Sequence, residues 1–131
     1  MIKQITIKNA SNWAKAWRTK NPKMSKAFLI PAQDLTGILK EMGILIKEEG
    51  QFVLNSDKLT NAGIRAYLAI DASTTKGNGE KLLLVGTKVD DGNHNDIILN
   101  GNDINNKVSG IYDFAKPCPT YCDVKKSPLN K

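Results

Sequence analysis

Two apolar runs in the middle of the chain constrain its fold most. Ile64-Arg65-Ala66-Tyr67-Leu68-Ala69-Ile70 and Lys81-Leu82-Leu83-Leu84-Val85-Gly86-Thr87-Lys88-Val89 are long enough for full strands and rich in residues that suit a pleated surface. Asp71 to Gly79 between them is a connection of turn formers. A parallel pair needs a crossover of a dozen or more residues, so a link this short favours antiparallel pairing. The two runs are therefore expected at the centre of a mainly antiparallel sheet. Gly77-Asn78-Gly79 does not follow the spacing of a phosphate-binding loop.

Local signals extend this frame. Asp90-Asp91-Gly92-Asn93-His94-Asn95-Asp96 is rich in oxygen ligands but lacks the glycine and distal glutamate spacing of a calcium loop. Asp-Gly between strand-like runs is a hairpin signal, which leaves His94, the sole histidine, exposed in a turn. Val108 to Phe114 reads as a last strand. Ile44 to Lys47 and Gln51 to Leu54 read as two short strands around Glu48-Glu49-Gly50, and Asn55-Ser56-Asp57 caps one helical turn. Glu48 and Glu49 read as a solvated turn, because no partner group for acid–base chemistry is identifiable.

The N-terminal third is helical in pattern. Over residues 6–19, Thr6 is a capping residue, and Ile7, Ala10, Ala14 and Trp17 recur at helical spacing with Trp13 widening the stripe. Both tryptophans are expected in the core, with a stacking platform for bases or sugars as the sharper alternative. Ala27 to Ile30 is a short buried strand. Leu35, Ile38, Leu39 and Met42 form the apolar face of a second helix over 32–42, begun at Pro31 and stopped at Gly43. The expected fold is α+β, with two N-terminal helices packed on one face of the sheet. All of it forms a single domain over residues 1–131, with a Pro- and Cys-containing tail from about 115.

The formal charge of +6 and pI near 9.3 invite a nucleic-acid reading. The cations are nearly all lysine, Arg18 and Arg65 being the only arginines, and arginine is the residue suited to bidentate phosphate and guanine recognition. The lysines are scattered, with small concentrations at Lys15 to Lys26 and at Lys125, Lys126 and Lys131. That weighs against sequence-specific nucleic-acid binding and leaves non-specific polyanion binding as a minor reading. Arg65 in an apolar strand is expected on the solvent face or paired with a carboxylate such as Asp71 or Asp113, with an anion contact as the sharper alternative. No apolar leader, membrane-length run or lipidation motif is seen, and a cytoplasmic protein is expected.

The tail is chemically distinctive. Lys116-Pro117-Cys118-Pro119-Thr120-Tyr121-Cys122-Asp123 holds both cysteines. A disulfide here would close a short loop, with a small entropic gain, and would be transient in a reducing cytosol. Zinc would need two ligands beyond the thiolates; His94 and Asp123 are weak candidates, and a site shared between two chains is conceivable. A redox pair would differ from Cys-x-x-Cys by one residue, with Lys116, Lys125 and Lys126 near enough to lower a thiol pKa. The plainest reading is that the cysteines pack as small apolar groups.

Gly63-Ile64-Arg65-Ala66-Tyr67-Leu68-Ala69, Leu82 to Thr87, Asn95-Asp96 and the Cys118-Pro119-Thr120-Tyr121-Cys122 ending together resemble a family of small uncharacterised proteins of Bacteroidetes-type bacteria. Trp17-Arg18 and Ala27-Phe28 occupy matching places, while the stretches from about Ile46 to Leu59 and 100–107 are longer here. The resemblance implies a discrete single domain and carries no activity. The functional expectation is a small non-enzymatic cytosolic protein that binds an unknown protein or small-molecule partner, with no cofactor. The alternative is a thiol-based redox or metal protein using Cys118 and Cys122.

Overall fold

The computed structural model describes residues 3–73, 79–118 and 127–130. Helix α1 (Ile7–Lys20) starts at the expected cap: Thr6 is extended and its Oγ1 accepts the Asn9 N–H at 3.1 Å. Asn21 closes it, donating its backbone N–H to Trp17 O at 2.9 Å before Pro22. Strand β1 (Ala27–Leu29) follows, then helix α2 (Ala32–Glu41) from an extended Pro31. At its end Gly43 takes φ +74°, the Gly43 N–H meets Lys40 O, and the Ile44 N–H meets Leu39 O, both at 3.0 Å. These paired bonds satisfy carbonyls that the last helical turn leaves open.

Strands β2 (Leu45–Glu48) and β3 (Gln51–Leu54) form an antiparallel hairpin in which Leu45 faces Leu54. Glu49 and Gly50 at its turn both have positive φ, as a two-residue turn matched to strand twist requires. The one-turn helix α3 (Ser56–Leu59) is capped by Asn55. The main sheet holds β4 (Gly63–Ile70), β5 (Glu80–Asp90), β6 (Asn93–Asp96) and β7 (Ile111–Tyr112), with β5 pairing all three others. Asp91-Gly92 makes the expected tight turn, and Thr87 stands opposite Asp96. The chain is thus mixed α+β with mainly antiparallel pairing.

Three expectations change. The run Ala27 to Ile30, expected to be buried, forms a strand whose Leu29 is 51% exposed. The last strand shrinks from 108–114 to Ile111–Tyr112. Asn106 Oδ1 takes the Val108 N–H, Asn100 Nδ2 donates to Val108 O, and the Leu99 N–H goes to Ser109 O. Side chains thus occupy backbone groups that a ladder would need. The tail also acquires a strand of its own: β8 (Lys116–Cys118) pairs antiparallel with β1, placing Cys118 opposite Ala27. A 3-10 turn at Pro128–Asn130 packs against α1.

The chain divides into two compact units that alternate along the sequence. The first gathers Met1–Leu29, Ala69–Lys81 and Lys116–Lys131; the second gathers Ile30–Leu68 and Leu82–Ala115. Of the described residues, the most deeply enclosed apolar side chains, Ile38, Leu84 and Val85, all belong to the second unit, as does the buried Ile44. Within it Gly86 lets Met42 close in: a Cβ at Gly86 would lie 2.8 Å from both Cγ and Sδ of Met42.

Candidate functional site

Arg65 sits in a cluster that the sequence left scattered. Alternate residues of a strand share one face, so Arg65 and Tyr67 project together from β4. Both reach Asp96 on β6. Arg65 Nη1 ion-pairs with Asp96 Oδ1, Arg65 Nη2 donates to His94 O at 2.8 Å, and the Tyr67 hydroxyl donates to Asp96 Oδ2 at 2.5 Å. On the intervening strand Thr87, buried and opposite Asp96, donates its hydroxyl to Gly63 O at 3.1 Å. The Tyr67 hydroxyl first, and then Asp96, raise the Arg65 pKa above its ordinary value against the opposing effect of burial.

The pairing carboxylate is therefore Asp96, not Asp71 or Asp113. Asp71 instead accepts from the Ser73 hydroxyl at 2.5 Å and from the Ser73 N–H at 2.9 Å. These bonds, side chain first, hold its carboxyl below the usual range. Both Asp96 oxygens are engaged, and the Arg65 guanidinium is shared between Asp96 and a carbonyl. The cluster ties β4 to β6 across β5, which is what such a network does best. His94 contributes only its carbonyl here, and its side chain is exposed as the sequence implied.

The tail candidates lie apart in the chain and only partly within the described residues. Cys118 is 3% exposed and disulfide-bonded. Cys122, the other cysteine of the chain, and Asp123 lie outside the described residues. Among the described residues no three of His, Cys, Asp and Glu stand close enough to hold a metal ion. No helix among them is long and apolar enough to cross a membrane.

In the second unit, a cavity of about 40 Å³ opens beside Ile38, Met42, Gly86, Ile97, Leu99 and Tyr112. One water needs roughly 10–15 Å³ of such space, so the cavity admits a few waters rather than a metabolite.

A third surface lies on α1, whose tryptophans the sequence offered as a stacking platform only as the alternative to core packing. The half-buried residues of α1 are Ala10, Ser11, Ala14 and Arg18. They form the side of the helix on which the Ser11 hydroxyl donates to Pro128 O at 3.1 Å and Arg18 Nη1 to Leu129 O at 2.5 Å. Both tryptophans, expected in the core, are instead at the surface: Trp13 is 61% exposed and Trp17 38%. Trp17 is held by its indole N–H, which donates to Ser25 O at 3.1 Å, and the Ser25 N–H in turn meets the Glu80 carboxylate.

Charge separates between the units as well. The first carries thirteen Lys and Arg against three Asp and Glu, a formal +10; the second carries six against ten, a formal −4. No acid occurs before Asp34, whereas Lys3, Lys8, Lys15, Arg18, Lys20, Lys23 and Lys26 all precede it. The signal available in the sequence was this acid-free run, not the count of lysines.

Comparison with known protein families, curated proteins and solved structures finds no match to this chain.

Proposed function

We propose that this protein is a small non-enzymatic binding module that engages an anionic partner through its first unit. The observation that carries the reading is the segregation of charge, +10 in the first unit against −4 in the second. Folding alone does not favour such an arrangement. Helix α1 has no acid in its first turn, where one would complement the helix dipole, and no glutamate four residues before a lysine. Its cations repel one another, a cost that a bound polyanion removes.

The thiol alternative has less support. A redox or metal role for Cys118 needs an accessible thiolate, and Cys118 is enclosed and already bonded through sulfur. The bond serves better as a staple at the end of β8, beside its pairing with β1.

Passage over immobilised heparin at low salt tests the reading. The protein should be retained and should elute in salt, and the triple change Lys8→Gln, Lys15→Gln, Lys20→Gln should elute markedly earlier. Flow-through of the unaltered protein at low salt would overturn it.

A further inference from the structure

We infer that the anionic partner is a single-stranded nucleic acid, bound without sequence preference on the exposed side of α1, with Trp13 as the stacking platform. The inference rests on the binding reading above and adds the chemistry of the ligand.

Phosphate-bearing strands are held without sequence readout by two kinds of group: cations that follow the backbone and aromatic faces on which bases stack. Helix α1 carries both kinds of group, with Lys20 the cation beside the indoles. Successive residues of a helix are rotated by 100°, which sets Trp13, Trp17 and Lys20 along one strip of α1. Lys8 and Lys15 lie on the other exposed flank, and Lys3 precedes the helix. Ser25 anchors the Trp17 indole, so that ring is fixed in place before any ligand arrives. The Trp13 ring stands further out, at 61% exposure, and offers its surface to a base.

The same features discriminate among anions. Paired bases of a duplex are stacked on one another and present only edges in the grooves, so exposed indoles gain little there. Lysines act as point charges, which suits phosphate positioning rather than base-edge recognition and predicts indifference to sequence. A bilayer surface would call for a continuous apolar face. On α1 the Ala10–Ala14 stripe is turned towards the Pro128–Asn130 turn, and Lys20 and Asn9 border the two indoles.

Both tryptophans of the protein lie on this helix, so intrinsic fluorescence reads the surface directly. Titration with an oligothymidylate of about a dozen nucleotides should quench it. If about four phosphates are neutralised, the logarithm of the binding constant should fall against log salt with a slope of roughly −3. Trp13→Ala should weaken binding roughly tenfold, and Trp13→Phe, which keeps an aromatic face, should recover most of the loss. Circular dichroism of each variant should match the parent.

Several outcomes would overturn the inference. One is retention on heparin with no response to the oligonucleotide, which leaves the binding reading standing. Another is equal affinity of the parent and Trp13→Ala for the oligonucleotide. A third is tighter binding to phosphatidylserine vesicles than to the single strand, which would move the ligand to a membrane. Failure on heparin as well would remove the binding reading itself.

Discussion

The two units of this chain hold together by different means. The second is organised by burial: Ile38, Ile44, Leu84 and Val85 are shielded from water, and β5 runs between its partners as a central strand. In the first, no described residue of α1 is buried, and among the described residues Cys118 is the one buried apolar side chain. Its segments are joined by side-chain bonds to carbonyls and by the three-residue β1–β8 pairing, while a disulfide at Cys118 closes a short loop within the last of them. Apolar burial is non-directional and strong in sum, whereas exposed hydrogen bonds each contribute modestly against competing water. A region built in the second way can keep its tryptophans and lysines outward, because its cohesion does not depend on burying them.

The largest test of this contrast is in the core. Ile38→Ala should cost about 2–5 kcal/mol, because it removes a buried side chain and leaves a cavity, while Ile7→Ala on α1 should stay within about 0.5 kcal/mol. Denaturant titration of both variants measures the difference; equal losses would break the comparison. Cys118→Ser comes next, at about 2 kcal/mol, and its effect should be confined to faster amide exchange in the first unit. Thr6→Ala should cost about 1 kcal/mol and fray the start of α1, visible as lost amide protection around Asn9 and Ala10.

Smaller effects sharpen the electrostatic side. Raising ionic strength from near zero to about 0.15 M should slow amide exchange in the +10 unit more than in the −4 unit, because screening relieves the denser like charge. Asp71 should give the smallest signal. Its folded pKa is depressed by Ser73, so its contribution is present above the ordinary carboxylate value of about 3.9 and is lost as pH falls through the folded value. A carboxyl titration by NMR should place its midpoint below that ordinary value, and Ser73→Ala should raise it.

What the sequence revealed and what it concealed divide along the same physical line. The Thr6 cap, the Gly43 stop, the Asp91-Gly92 turn and the two long strands depend on residues a few positions apart, and all are legible. The partner of Arg65 lies thirty-one residues away, so no local rule selects Asp96 over Asp71 or Asp113. The apolar stripe Ile7, Ala10, Ala14 and Trp17 pointed to the buried side of α1 only approximately. The turn at Pro128–Asn130 presents carbonyl oxygens, so the helix rotates its donors Ser11 and Arg18 towards it, and the indoles swing outward. Helical periodicity identifies an apolar face but not the chemistry of whatever meets it.

The β1–β8 pairing also sets an order of assembly. Ala27 is made early and Cys118 late, and α1 meets its partner turn only when residues 128–130 exist. The last residue of the second unit, Ala115, precedes all of these closing segments. On a chain emerging from the ribosome, every segment of the second unit is therefore available before the first can close. Through that interval the basic helix and its two indoles wait without their C-terminal partner, and a protein clipped after Ala115 would keep its core residues and lose the closure of its first unit.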